Sequence, residues 1–299
     1  MAEDLNDISA FLTVARERNF TRAAAQLGIS QSALSRTVRA LETRMNTPLL
    51  VRSTRSVSLT EAGERLVSTV GPRLSEIQEE LDSLRSLTLG PSGTVRITAT
   101  DSDANTYVWP RVMPLLRMYP ELKIEIVNDY GFRDIVADRC DIGVRLGSNV
   151  AQDMVAARIA PDLTMAIVGS PEYLKNRPSI ETPQDLTTEN CICLRLPTHN
   201  SLLQWELKNG KKQLQVKVDG QLIFNNVYQI LEAAISGFGL AYLPKDLVEP
   251  HVKTGKLQWV LPDWHPNYTG QHIYYPSRRK PSRAVELVVA ALKTGYSDG

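Results

Sequence analysis

Residues 20–44 constrain the fold more than any other part of the chain. Thr21 opens an alanine-rich run, ArgAlaAlaAlaGlnLeu, that Gly28 closes. Thr21 reads as an N-cap, the alanines favour helix, and glycine is the usual residue for stopping a helix in the left-handed conformation. Ser30 is a second N-cap, after which Leu34, Val38 and Leu41 recur at spacings of four and three, forming the buried stripe of another helix. Ahead of both, Leu5, Ile8, Phe11, Leu12 and Ala15 mark one face of an amphipathic helix. Two helices joined by a tight glycine turn form a helix-turn-helix, whose second member lies in the major groove of DNA. With the stripe facing inward, Gln31, Ser32, Ser35, Arg36 and Arg39 fall on the opposite, solvent-facing side. Serines suit a surface helix poorly unless short side chains are wanted near a backbone, so this face is read as one that touches DNA.

Beyond Pro48, β-branched and apolar residues on either side of a polar SerThrArg turn predict a two-stranded wing, with Arg52 and Arg55 flanking its tip. Thr60, with Glu61 and Glu64 close behind, caps a helix that runs to about Leu89. Its stripe of Leu66, Val70, Leu74, Ile77, Leu81 and Leu84 is close to a heptad, the pattern of helices that pair in a dimer. Pro72 interrupts it, so either the helix bends near 68–72 or two helices abut there. GlyProSerGly at 90–93 is a hinge.

Charge follows the same division. Residues 1–60 hold eight arginines against five acids, a balance of +3, whereas residues 61–89 hold three arginines against six acids, a balance of −3. No lysine precedes Lys123. The amino-terminal cations are therefore arginines, whose planar fork suits bidentate contact with phosphate or guanine. The net charge of +1 conceals this asymmetry.

A length of 299 residues predicts two or more domains. A hydrophobic share of 42% with 22% charged residues excludes fibrous and disordered classes. The start MetAlaGluAspLeuAsnAspIle is acidic where a secretory signal is basic and then apolar, and no run of about 18 apolar residues occurs; a cytoplasmic protein without a membrane partner is expected. Three cysteines, Cys140, Cys191 and Cys193, have no C-x-x-C spacing, which excludes a disulfide framework and a structural zinc site.

PheThrArgAlaAlaAlaGlnLeuGlyIleSerGlnSerAlaLeuSerArgThrValArgAlaLeuGlu, then ProLeuLeuValArg, then LeuThrGluAlaGly, resemble the LysR-type transcriptional regulators. The match is nearly continuous over the first 65 or so residues, and the remainder agrees with that family's effector domain in length and pattern. The resemblance implies a multidomain α plus α/β architecture. Residues 1–60 would be a winged helix-turn-helix, 61–89 a dimerisation helix, 90–93 a hinge, and 94–299 an effector domain resembling periplasmic binding proteins. One subdomain would span about 94–164 and 269–299, the other about 165–268. It further implies a homodimer or, more often, a homotetramer on double-stranded promoter DNA, with RNA polymerase as a further partner. Thr21, Arg22, Gln31, Ser32, Ser35, Arg36 and Arg39 would meet the duplex, with Arg52 and Arg55 from the wing. ArgCys at 139–140 departs from the family, which often has glycine at position 139, so the turn there is expected to differ.

From Thr94 the pattern alternates strand and helix: ThrValArgIleThrAlaThr, a helix around 106–118, LysIleGluIleValAsn and AspIleGlyValArgLeu. Thr100, Asp101 and Ser102 stand where a strand gives way to a helix amino terminus, the usual place to receive an anion, although Asp101 itself would repel a carboxylate. By resemblance, Thr100, Ser102, Arg145 and Leu146 line the cleft from the first subdomain, and Thr198, His199, Asn200, Asn225, Asn226, Phe238 and Gly239 from the second. The alternative for each is a capping or loop residue. Arg145 suggests a carboxylate or other small anion as the effector; no cofactor is expected.

Catalysis is not expected: the four histidines, His199, His251, His265 and His272, come with no G-x-S-x-G and no metal spacing. A solute-binding protein would carry an export signal and no helix-turn-helix. A thiol switch at Cys191 and Cys193 is the rival for the signal, but residues one apart on a strand point the same way and bridge only under strain.

Overall fold

A computed structural model describes residues 4–52, 57–131, 135, 140–147, 154–175, 177–196, 200–277 and 281–294. The chain divides into two compact units, Met1–Arg85 and Ser86–Gly299.

In the first unit, α1 (Leu5–Glu17), α2 (Phe20–Leu27) and α3 (Gln31–Arg44) precede the hairpin of β1 (Leu50–Arg52) and β2 (Val57–Leu59), and α4 (Glu61–Leu89) follows. Phe11, Val14, Ala23, Leu34, Val38, Leu41 and Leu49 form its fully or nearly fully buried core. The α2 helix starts earlier than the sequence suggests. Its cap is Asn19, not Thr21: the Asn19 carboxamide oxygen accepts from the amides of Thr21 and Arg22 at 2.9 and 3.1 Å. Asparagine satisfies two of the orphan amides at once, and Thr21 becomes a helical residue. Gly28 ends α2 at φ 65°, a conformation that favours glycine. Ser30 caps α3 by accepting from Ala33 N at 3.1 Å, and Thr60 accepts from Gly63 N at 3.0 Å at the start of α4. Of the two expectations for Pro72, the abutting pair is not seen: α4 passes through it as one helix.

The second unit has two lobes. In the first, β3 (Gly93–Ala99) leads into α5 (Asp101–Asp103), a π-turn (Ala104–Val108) and α6 (Trp109–Met118), so the helical segment begins five residues before the expected start near 106. Then come β4 (Leu122–Asn128), β5 (Ile142–Leu146) and β6 (Met154–Arg158). The chain crosses to the second lobe at 159–162, where β7 (Leu163–Gly169), α7 (Pro171–Lys175), β8 (Cys193–Leu196), β9 (Ser201–Leu202), β10 (Trp205–Asn209), β11 (Lys212–Val216) and β12 (Ile223–Phe224) follow. After them lie α8 (Val227–Ile235), β13 (Ala241–Pro244), α9 (Lys245–Lys253), β14 (Gln258–Val260) and β15 (Asn267–Tyr268). The chain returns through 269–270 to β16 (Gln271–Pro276) and α10 (Arg283–Lys293) in the first lobe.

The first lobe's sheet has the order β4-β3-β5-β16-β6, with β3 parallel to β4 and β5, and β16 antiparallel to its neighbours. The second lobe is built on β13-β7-β14, all antiparallel, with α8 packed beside it through Val227, Ile230, Leu231 and Ala234. The two crossings lie against each other: Ile159 N donates to Gln271 O at 2.8 Å, and a β-carbon at Gly270 would collide with the carbonyl oxygens of Ala160 and Pro161. No helix among the described residues is long and apolar enough to cross a membrane. Arg139, at the expected unusual turn, lies outside the described residues.

Candidate DNA-reading face and effector cleft

The buried Leu34–Val38–Leu41 stripe fixes the rotation of α3 and turns its other side outward. Gln31, Ser32, Arg36 and Arg39 are exposed there, and Ser35 is half-buried. Thr21 Oγ1 donates to Gln31 Oε1 at 3.3 Å, joining the starts of α2 and α3 at the open edge. The Arg22 guanidinium is engaged within the protein, donating from Nη2 to the Glu17 carbonyl at 2.8 Å and pairing with the Glu17 carboxylate at 3.7 Å, while its side chain stays 67% exposed. Among the described residues, no hydrogen bond or ion pair engages the guanidinium of Arg36 or of Arg39; the Arg39 carbonyl accepts from the Thr43 hydroxyl at 2.9 Å. Arg52 closes β1 opposite Val57, and Arg55 lies outside the described residues. Sequence reasoning missed Glu42, whose Oε1 accepts from Leu49 N and Leu50 N at 2.9 and 3.0 Å and so fastens the wing to α3.

In the second unit the buried polar side chains among the described residues are Thr98, Asp101, Asp103, Asp129, Arg145, Ser170 and Gln271. All but Ser170 gather at one edge of the first lobe's sheet, at the carboxyl ends of β3, β4 and β5 and the start of β16. Open α/β sheets bind their ligands at this edge, and a π-turn such as that at 104–108 often marks a functional site.

Thr100 Oγ1 caps α5 by accepting from Asp103 N at 3.1 Å, and Ser102 N donates to Asp101 Oδ1 at 2.9 Å. The Asp101 carboxylate also accepts from the Tyr130 hydroxyl and, through Oδ2, from Val227 N of the second lobe at 2.9 Å. Burial raises the Tyr130 hydroxyl far above its ordinary range, so it stays protonated as a donor. Burial likewise pushes the Asp103 carboxyl up to about 6, against the lowering effects of Thr100, Arg145 and Gln271. Gln271 Oε1 is buried without a hydrogen-bond partner.

Arg145 does not play the part expected of it. It is only 3% exposed, and its guanidinium donates to Gly131 O at 3.1 and 3.3 Å, to Val144 O at 2.7 Å and to Thr98 Oγ1 at 3.0 Å. It holds the loop after β4 to the sheet. Leu146, half-buried, ends β5 opposite Gln271.

From the second lobe, Asn226 accepts from the amides of Tyr228 and Gln229 as the N-cap of α8, beside the exposed Asn225, at the end of the helix that meets Asp101. Phe238 and Gly239 are not brought to that place. They follow the far end of α8, whose nine residues span about 13 Å. There Phe238 N donates to Ala233 O, and Phe238 is 54% exposed. Asn200 is exposed, with its carbonyl accepting from Arg195 at 2.7 Å; Thr198 and His199 lie outside the described residues. The residues that sequence reasoning missed are Asp103, Tyr130, Val227 and Gln271.

All three cysteines are buried. Burial pushes the Cys191 thiol up to about 12 and raises Cys193, whose sulfur contacts the carbonyls of Cys191 and Val218. Reactive cysteines are exposed and acidic, and Cys191 and Cys193 are neither. A separate cavity of ≈ 750 Å³ is lined by Arg158, Thr269, His272 and Lys293 among others, not by the carboxylates.

Residues 5–64 match the bacterial regulatory helix-turn-helix protein, lysR family, and residues 89–297 match the LysR substrate binding domain. A putative transcriptional regulator of Pseudomonas aeruginosa is 49% identical, covering 97% of this chain and 95% of its own. The HTH-type transcriptional regulator PgrR of Escherichia coli is 45% identical over 97% of both. Among solved structures, the full-length virulence activator AphB of Vibrio cholerae superposes with a TM-score of 0.66 at 24% identity, covering 98% and 99% of the two chains. CrgA of Neisseria meningitidis, a LysR-type regulator, gives 0.56 at 23%, covering 97% of each.

Proposed function

The chain belongs to the LysR-type family of DNA-binding transcriptional regulators, and from that premise we propose that it reads promoter DNA through α3 as a homo-oligomer and answers to a small molecule held between the lobes of its effector domain. The observation that carries the DNA-reading part is the exposed row of Gln31, Ser32, Arg36 and Arg39 opposite a fully buried stripe, with the guanidinium groups of Arg36 and Arg39 engaged by no described residue. A guanidinium in that position is a donor fork for guanine O6 and N7, worth roughly 1–3 kcal/mol of discrimination. Thr21, Arg22, Ser35 and the wing arginines Arg52 and Arg55 set the register on the phosphates.

Self-association is supported by Ile77 and Leu81, exposed one turn apart on α4 at 52% and 45%. Apolar residues at that spacing bury themselves against a second copy of the helix. Effector binding is supported by the gathering of buried polar side chains where β3, β4 and β5 end. Regulators bound at promoters can also meet RNA polymerase, and a cytoplasmic address suits these roles.

The test is genome-wide capture of DNA bound by the wild type and by Arg36→Ala. Defined promoter peaks that vanish in the variant are expected. Peaks indifferent to Arg36, or wild-type binding without defined peaks, would refute the assignment of α3.

A further inference from the structure

A buried carboxylate with hydrogen-bond donors from both lobes does what an anionic ligand does elsewhere. Asp101 is 4% exposed. Its Oδ1 accepts from Ser102 N at 2.9 Å and from the Tyr130 hydroxyl, and its Oδ2 accepts from Val227 N at 2.9 Å. Ser102 N belongs to the first turn after β3, and Val227 N is the first amide of α8 in the other lobe. Helix amino termini present unpaired amides and a partial positive charge, and that of α8 is directed at this carboxylate, which the adjacent Ser102 amide and the Tyr130 hydroxyl also meet. Tyr130 reaches from the loop after β4 and packs against the second lobe's core beside α8. Asp101 is therefore tied to both lobes.

We propose that Asp101 is a resident anion: its side chain fills the anion seat between the lobes and latches them, so the cleft refuses carboxylate effectors and admits ligands that bring hydrogen-bond donors. The part concerning effectors rests on the proposed function; the latch itself does not. An incoming carboxylate would find these amides taken and a like charge beside them, which disfavours its ionised form. What remains at the sheet edge is acceptor-rich. Among the described residues there, Asp103 lies two residues from Asp101, Gln271 Oε1 is buried with no partner, and the guanidinium of Arg145 is engaged by protein acceptors. Amides, amines and hydroxyls fit such a surface. The expectation of an anionic effector, drawn from Arg145 in the sequence, is reversed.

The experiment uses the full chain and formate as the probe. Thermal unfolding is followed by tryptophan fluorescence at constant ionic strength, with sodium formate exchanged for sodium chloride, for the wild type, Asp101→Ala and Tyr130→Phe. Asp101→Ala leaves buried donors unanswered, so its midpoint should fall by roughly 5–10 °C. Formate should return at least half of that loss in a saturable way. The wild type should not distinguish formate from chloride. Tyr130→Phe, which removes one donor and keeps the carboxylate, should lose less and gain nothing from formate.

A wild type that formate stabilises saturably would overturn the proposal, because the seat would then be vacant; that arm holds even if Asp101→Ala fails to fold. An Asp101→Ala protein as stable as the wild type, or one deaf to formate, would overturn it as well. DNA capture by the wild type is read separately, so failure of the regulatory reading is not mistaken for failure of the latch.

Discussion

Replacing Asp103 by asparagine removes a carboxyl group that the fold holds in an unfavourable place. Asp103 is 5% exposed, and burial raises its pKa from 3.8 to about 6 despite Thr100, Arg145 and Gln271, while Asp101 adds to the rise. Because the folded-state pKa lies above the unfolded one, the folded protein holds this proton more tightly. The stabilisation is complete below about pH 4 and is lost as pH rises through about 6. A shift of roughly two units at ~1.4 kcal/mol each gives ~3 kcal/mol. Asparagine keeps the shape and never ionises, so relative to Asp103→Asn the wild type should lose ~3 kcal/mol of unfolding free energy between pH 4 and pH 7. Urea denaturation followed by tryptophan fluorescence measures this cleanly. All four tryptophans, Trp109, Trp205, Trp259 and Trp264, belong to the second unit, so the signal reports that unit alone. Stability curves that stay parallel across this pH range would refute the reasoning, since the charged form would then cost nothing to bury.

The paired substitution Ile77→Glu with Leu81→Glu should lower the oligomeric order seen by light scattering while leaving the fold intact, because both side chains are exposed on α4. Gly270→Ala should destabilise the second unit by about 1–3 kcal/mol in the same urea assay, since its new methyl meets two backbone carbonyls that have no rotamer by which to move aside.

Local signals were read well where neighbouring residues decide the outcome. The Leu34–Val38–Leu41 stripe, the Gly28 stop and the Ser30 and Thr60 caps are all settled within about two helical turns. The cap of α2 shows the limit of that reading. Asn19 and Thr21 are both capping types two residues apart, and the backbone entering α2 decides between them. The candidate cleft was legible at Thr100–Ser102, where strand gives way to helix, and at Asn225 and Asn226, where α8 begins. Tyr130, Val227 and Gln271 come from 29 to 170 residues away and are brought there by sheet register and lobe packing. Arg145 misleads because sequence gives its charge but not its neighbours: in β5 it points into a nest of carbonyls. Phe238 lies apart because a family-like segment can include both ends of a helix when only its amino end meets Asp101.

The paired crossings near Ile159 and Gln271 have a mechanical consequence. Two strands tied edge to edge behave as a ribbon, compliant when flexed across its face and stiff against twisting or edgewise shear. With Gly270 pressed on the carbonyls of Ala160 and Pro161, the two tethers also leave no slack for independent sliding. Such a pair of tethers favours rotation of one lobe against the other about the ribbon over sliding, so any change in the angle between the lobes is expected to follow that one axis.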